Sequence, residues 1–119
     1  MGEKLTEVFV RNTIQKLTLP DSRFQVLIPV LHAKRSYYTL LVDNLSTDLT
    51  ACAEQLDCLL QESFMYRSAR LVGQLDKVKI KVNPLAESLY LDYFFKAGMK
   101  LGNIKHRYLL NKPIEGIAL

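Results

Sequence analysis

The sequence feature that most constrains the fold is the amphipathic stretch at residues 44–64. Its apolar side chains recur at steps of three and four residues, which is typical of a helix with one buried face. The apolar positions are Leu49, Cys52, Ala53, Leu56, Leu59, Leu60 and Phe64, while the acidic and amide positions that fall mainly on other faces are Asp48, Glu54, Asp57, Gln61 and Glu62. The segment therefore predicts a helix that packs its apolar side onto the rest of the domain.

Three short segments around this helix predict β-strands. Residues 24–31 and 37–43 are apolar and β-branched, so we expect them to pair as an antiparallel hairpin. Pro29 cannot donate a ladder hydrogen bond, which favours a sheet edge or a bulge for the first strand. Residues 76–82 alternate strictly, as in a strand with one wet face. Its apolar positions are Val78, Ile80 and Val82, and its basic positions are Lys77, Lys79 and Lys81.

Two further helices are predicted, one at each end of the chain. Thr6 can cap a helix whose apolar period runs to Leu17. Asn83 and Pro84 can open another, which Gly98 would close. Its core-facing positions are predicted to be Leu85, Leu89, Tyr93 and Phe94. Residues 65–74 look irregular, and residues 109–119 look like a weakly structured tail.

The order helix, strand, strand, helix, strand, helix predicts an α+β fold. We expect a small mixed or antiparallel sheet of three to four strands, packed with about three helices. No internal repeat or linker divides the chain, so residues 1–119 are predicted to form a single domain. A chain of 119 residues with 49% hydrophobic side chains can bury one core, which excludes most self-contained multi-substrate enzymes.

Composition also limits location and metal chemistry. No apolar run reaches the ~18–20 residues of a membrane span, and the first residues lack an apolar signal core, so a cytoplasmic protein is expected. Cys52 and Cys58 are interpreted as two buried free thiols. With His32 and His106 distant in sequence, no metal site is predicted.

No motif in the chain carries a recognised chemistry on its own. The two His and two Cys form no known catalytic arrangement, and no glycine-rich phosphate loop is present. What remains is positive charge, since residues 65–112 hold ten Lys and Arg against three Asp and Glu. This concentration could attract an anion, although a solvated basic face would give the same pattern.

Basic side chains in this region are the candidate site residues. Arg67 and Arg70 precede the alternating strand, whose lysines are interpreted mainly as a solvated face. Lys105 and Arg107 lie with His106 in a segment that follows Gly102, where a side chain can reach a ligand at low backbone cost. Lys neutralises phosphate as a point charge and Arg can bind it bidentately.

The order of these elements resembles the C-terminal domain of the auxin-responsive, Gretchen Hagen type acyl acid–amido synthetases, which belong to the adenylate-forming superfamily. The resemblance covers residues 2–111, and residues 2–7 are similar to the hinge that precedes this domain. The matching stretches are YYTLLV at 37–42, QESFMYR at 61–67, VGQLDKVKIKV at 72–82, LDYFFKAG at 91–98 and GNIK at 102–105.

The resemblance implies a two-step reaction in the full-length enzyme. ATP, with Mg²⁺, and a carboxylic acid give an acyl-adenylate, and an amino acid then attacks to form an amide. The N-terminal adenylation domain of the same polypeptide would hold most of that site, and this domain would be a mobile lid. The isolated lid is expected to bind no cofactor and to be inactive.

Residue by residue, Lys105 matches the family lysine that would contact the adenylate or its phosphates. The family usually continues Lys-Thr-Pro-Arg, whereas this chain reads Lys105-His106-Arg107-Tyr108, so the arginine comes one place earlier and the proline is missing. Arg107, Arg67 and Arg70 are further ligand-binding candidates.

Two other classes of function stay open at the level of the sequence. A stand-alone basic module could bind RNA or an acidic partner, but the wet face of the alternating strand carries Lys and Asp76 rather than the aromatic residues that stack on bases, which argues against nucleic acid. A small regulatory domain could instead dimerise through the edge of the strand at 24–31.

Overall fold

The computed structural model describes residues 5–31, 35–100, 102, 104, 106–114 and 119. Within these residues the chain forms four helices and a three-stranded mixed sheet, which confirms the α+β class. The elements in chain order are α1 (Glu7–Leu17), β1 (Gln25–Leu31), β2 (Ser36–Val42), α2 (Leu49–Leu60), α3 (Phe64–Leu71), β3 (Lys79–Val82) and α4 (Ala86–Lys96).

The sheet has the strand order β1-β2-β3, and its two pairings differ in direction. The predicted hairpin is confirmed, because β1 and β2 pair antiparallel with Leu27 opposite Leu40. β2 and β3 pair parallel with Leu40 opposite Ile80, so the chain crosses over through α2 and α3 between them. Pro29 lies in β1, an outer strand of this order, as its missing N–H predicts.

Helices cover both faces of the sheet and create two cores. Side chains alternate along β2, so Leu40 contributes to one core and Leu41 to the other. The first core joins the sheet to α1, α2 and α3, and the second joins it to α4 and the end of the chain. Most of the apolar face predicted for α2 belongs to the first core, whereas Leu49 at its start is 44% exposed.

Helix α1 begins and ends as the sequence predicts. The Thr6 hydroxyl accepts a hydrogen bond from the Phe9 amide at 3.1 Å, and the helix runs to Leu17. At the C-terminal end of α4, Gly98 adopts a φ of 97°, the left-handed conformation that closes a helix. Both boundaries were predicted from local chemistry alone.

Residues 65–74 are not irregular, because most of them belong to α3. The predicted helix at 44–64 is divided here, since α2 ends at Leu60 and Ser63 caps α3 by accepting from the Tyr66 amide at 3.4 Å. The helix is only 8 residues long, and Phe64 and Leu71 remain exposed. A short helix with exposed apolar ends has no clear amphipathic period, which explains the error.

Two predicted burials are wrong for reasons of helix geometry. Cys58 is exposed, because a residue six positions from Cys52 lies about 120° away around the helix. Leu85 is 63% exposed, because α4 begins at Ala86 and buries Ala86 and Tyr90 instead. The residues before it form a turn in which the Asn83 side chain accepts from the Leu85 amide at 2.9 Å.

The end of the chain is also more structured than the sequence indicates. Leu109, Leu110 and Ile114 are buried, with Leu109 in the first core and the other two in the second. Val82, predicted to share the buried face of β3, is 36% exposed at the end of that strand. The segment at 106–114, here named the C-terminal segment, therefore belongs to the packed domain.

Candidate functional site

The C-terminal segment runs along the outer side of β1. The Leu27 amide donates to the Tyr108 carbonyl at 2.8 Å, and the Leu110 amide donates to the Leu27 carbonyl at 2.9 Å. Leu27 and Leu109 thereby form a parallel bridge. The segment covers part of the β1 edge. Backbone groups of β1 that would otherwise hydrogen-bond to water pair there with backbone groups of the segment.

Glu7 fixes the same segment from α1. One carboxylate oxygen accepts from the Tyr108 amide at 2.8 Å, and the other accepts from the Leu109 amide at 3.0 Å. Hydrogen bonds to an ionised acceptor are stronger than those between neutral groups. In the sequence, Glu7 is explained by the favourable charge at a helix N-terminus, and its partners about a hundred residues away give no local signal.

Tyr90 of α4 supports the segment from the second core. Its hydroxyl accepts a hydrogen bond from the Arg107 amide at 3.1 Å, while its ring is 1% exposed. Burial raises the pKa of Tyr90, and the hydrogen bond from the Arg107 backbone opposes that rise. The Arg107 side chain is exposed, so its backbone is held while its guanidinium faces solvent.

His106 is an anchor of the segment. Its Nε2 lies 2.9 Å from the Gln25 carbonyl oxygen, and because that oxygen can only accept, Nε2 must carry a proton. The ring stacks on Phe24 with centroids 4.9 Å apart and lies 4.6 Å from the ring of Tyr108. These contacts orient the residue that precedes Arg107.

A pocket of about 570 Å³ opens beside this segment. Its wall from α4 is aromatic, and two cations, Arg107 and Lys112, belong to its described lining. The described residues of the lining are Tyr90, Tyr93, Phe94, Met99, Ile104, Arg107, Leu109, Leu110, Asn111 and Lys112. A site of this composition offers positive charge next to apolar surface, which suits an anionic group attached to an apolar body.

The predicted site residues that the structure describes do not meet in one place. Lys105 lies outside the described residues. Arg107 lines the pocket, whereas Arg67 and Arg70 belong to α3, which packs on the opposite face of the sheet. Arg67 is exposed and lies over the Phe64 ring at 5.7 Å. The structure therefore separates the two arginines of α3 from the C-terminal segment.

Arg70 has an internal partner, the carboxylate of Asp57. Its Nε and Nη2 donate to Asp57 oxygens at 3.1 Å each, and its Nη1 donates to the Leu75 carbonyl at 3.3 Å. Asp57 is 4% exposed, although the sequence places it among the polar positions of α2. In this arrangement Arg70 joins α3 to α2 and to the approach to β3, and it does not face the pocket.

Asp57 also accepts from other groups around it. The Tyr66 hydroxyl donates at 2.6 Å and the Gln61 amide at 2.9 Å, and the Val78 backbone amide lies at 3.4 Å. Burial by itself raises the pKa of Asp57, but hydrogen bonds from Arg70, Tyr66 and Gln61 and the charge of Arg70 outweigh it and lower the pKa. Burial and Asp57 together raise the pKa of Tyr66 far above its ordinary value.

Asp43 repeats this pattern on a smaller scale at the end of β2. Its Oδ1 accepts from the Ser22 hydroxyl at 2.8 Å and from the Arg23 and Phe24 amides at 3.0 and 3.1 Å. Burial raises the pKa of Asp43, while these hydrogen bonds outweigh it and hold the pKa below its ordinary value. The carboxylate thereby fixes the turn that leads into β1.

A pH dependence of stability follows from these two carboxylates. A lowered pKa in the folded state means that the unfolded chain binds protons more readily, so stability is lost as pH falls from the unfolded value, about 3.9 for Asp, through the folded value. We expect the urea midpoint to decline steeply below about pH 4. The Asp43→Asn variant should show a shallower decline, and a slope equal to that of the wild type would contradict the role of Asp43.

The described part of the chain contains no cluster of metal ligands. No group of three or more His, Cys, Asp or Glu residues there could hold a metal ion. Among the same residues, no helix combines the length and apolar character needed to cross a membrane.

The mixed sheet, the helices on both of its faces and the segment held along its edge define a small α+β domain. Residues 4–114 match the family model described as the GH3 family C-terminal domain. This match spans nearly the whole chain, so the protein belongs to that family. No curated protein and no solved structure matches the chain.

Proposed function

We propose that this domain is the C-terminal lid of an ATP-dependent acyl acid–amido synthetase. Membership of the GH3 C-terminal domain family supports an adenylate-forming enzyme. The observation that carries the proposal is the C-terminal segment, whose backbone is held by Glu7, Leu27 and Tyr90 while the Arg107 side chain stays exposed. A cation on a fixed backbone is suited to meet phosphate charge when the lid closes.

The chemistry that this lid would serve has two steps. In the first, a carboxylate oxygen of the acid attacks the α-phosphorus of ATP, and pyrophosphate leaves. In the second, the amine of an amino acid attacks the acyl carbon, and AMP leaves. Negative charge develops on phosphate oxygens in the first step, so a fixed cation lowers its barrier, and closure excludes the water that would hydrolyse the adenylate.

Lys105 and Arg107 are the side chains proposed for this task. Lys105 follows the resemblance, and Arg107 follows from its place at the pocket. In this proposal Mg²⁺ enters with ATP in the N-terminal adenylation domain. The lid alone is proposed to be inactive, with a carboxylic acid and an amino acid as substrates of the whole enzyme, and a cytoplasmic location stays a prediction.

Substitution of the cations in the full-length polypeptide tests this proposal. We expect Lys105→Ala to slow acid-dependent ATP–pyrophosphate exchange about a hundredfold, and Arg107→Ala to slow it about tenfold, because removing one stabilising contact to developing charge costs about 10²–10³ at the strongest positions. Lys16→Ala is the matched control, since Lys16 is an exposed lysine on α1 that contacts Glu62. An unchanged rate in Lys105→Ala would remove that residue from the mechanism.

The alternative, a basic module for RNA or an acidic partner, has weaker support. Of the lysines near β3, Lys77 pairs with Glu54 at 3.3 Å and Lys79 lies 4.3 Å over the Tyr37 ring. These contacts occupy two of the three cations that such a surface would use. Binding of generic RNA that weakens steeply with salt would favour this alternative over the lid.

A further inference from the structure

Glu7 makes an unusual connection between the start and the end of the domain. It lies in the first turn of α1, and it is half-buried. Each oxygen of its carboxylate accepts one backbone hydrogen bond, from Tyr108 and from Leu109. These two amides immediately follow Arg107 in the chain.

The geometry of this contact matches a carboxylate. Two adjacent backbone N–H groups point at one side chain, and each donates to a different oxygen of the Glu7 carboxylate. A glutamine of the same length has a single acceptor oxygen, and its NH₂ group would face an amide donor. A glutamine in the same orientation would therefore keep one of the two hydrogen bonds and lose the other.

The other contacts of the segment do not replace this one. Leu27 holds the Tyr108 carbonyl and the Leu110 amide, and Tyr90 holds the Arg107 amide. These partners belong to the sheet and to α4. Among the described residues, Glu7 alone ties the segment to α1 by hydrogen bonds. It does so at Tyr108 and Leu109, the two residues that follow Arg107.

We propose that Glu7 is a positioning residue that locks the C-terminal segment to α1. Arg107, which directly precedes these two residues, would then move with α1 as part of one rigid body. The inference rests on the proposed lid function for its consequence, but the lock itself is a property of this chain. Glu7 touches no substrate in this scheme and acts through the backbone of Tyr108 and Leu109.

Amide hydrogen exchange of the 119-residue chain tests the lock directly. In Glu7→Gln, the Tyr108 and Leu109 amides should exchange at least tenfold faster than in the wild type, while the Leu40 and Leu41 amides of the central strand change little. Glu87→Gln is the matched control, since Glu87 occupies the first turn of α4 and is exposed. Unchanged exchange at Tyr108 and Leu109 in Glu7→Gln would overturn the inference.

A second variant keeps the test decisive if the first one unfolds. Glu7→Asp retains two acceptor oxygens on a shorter side chain, so it should give exchange rates at Tyr108 and Leu109 between those of the wild type and those of an unprotected amide. Wild-type rates at both amides in this variant would contradict the lock, because the shorter carboxylate cannot span the same distance to both.

Kinetics of the full-length polypeptide separate the inference from the proposed function. We expect Glu7→Gln to lower kcat of ATP–pyrophosphate exchange about tenfold with KM for ATP within twofold, and Glu87→Gln to alter neither. If Arg107→Ala lowers kcat and Glu7→Gln does not, the positioning role fails and the lid function stands. If neither variant lowers kcat although exchange at Tyr108 accelerates, the proposed function of the segment fails and the lock itself stands.

Discussion

Replacement of Asp57 by alanine is expected to lower the free energy of unfolding by about 3–5 kcal/mol, because removing one partner of a buried ion pair leaves the other uncompensated. Arg70 would lose the acceptor of its Nε and Nη2 groups, and the Tyr66 hydroxyl would lose its 2.6 Å partner inside the first core. Urea unfolding followed by circular dichroism measures the loss.

Two comparisons make this prediction specific to the buried network. Glu54→Ala removes an exposed acid from the same helix, which pairs with Lys77 at the surface, and should lower stability by no more than about 1 kcal/mol. The double variant Asp57→Ala/Arg70→Met should be more stable than Asp57→Ala alone, because it no longer leaves the arginine unpaired. A loss below about 1 kcal/mol in Asp57→Ala would show that the network does not hold α2 and α3 together.

Truncation of Tyr90 to alanine should lower the free energy of unfolding by about 3–5 kcal/mol, the range for a buried aromatic side chain. The ring lies edge-on to Phe24 at 5.3 Å and contacts Phe94 at 4.8 Å, so its loss opens a cavity in the second core. The same variant frees the Arg107 amide from its hydroxyl partner. Thermal and urea unfolding provide the measurement.

Tyr90→Phe separates packing from the hydrogen bond in this prediction. It keeps the ring and removes only the hydroxyl, so it should lower stability by about 1 kcal/mol. Tyr93→Ala is a second comparison, since Tyr93 lies on the same helix but is only partly buried and should contribute less. Equal losses in Tyr90→Phe and Tyr90→Ala would mean that the ring adds little to the second core.

Local chemistry predicts a large part of this fold. The hairpin follows from two apolar runs, the start of α1 from the Thr6 cap, the end of α4 from Gly98, and the buried stripe of α2 from its period. Each of these signals lies within a few residues of the structure that it specifies. The predictions are wrong at α3, because the helix is short and its apolar ends are exposed. They are also wrong at the start of α4, because a turn precedes the helix and different side chains are buried.

Only part of the candidate site could be predicted from the sequence, because tertiary packing decides which charged side chains stay free of internal partners. The sequence shows positive charge in the segment that follows Gly102, and Arg107 of that segment does line a pocket. Arg70 has the same charge and the same local appearance, yet a buried acid 13 residues earlier binds it inside the domain. Asp57 looks like a surface residue of an amphipathic helix, and only the tertiary packing of α3 shows why it is buried.

The contact between Glu7 and Tyr108 also determines when the segment can form during folding. Its two partners are 101 residues apart, so the loop between them must close before the contact contributes any stability. The hairpin of β1 and β2 needs only local closure and can form early, whereas the C-terminal segment needs β1, α1 and α4 in place first. On a ribosome that releases the chain from its beginning, the pocket and its cations would be the last feature of the domain to assemble.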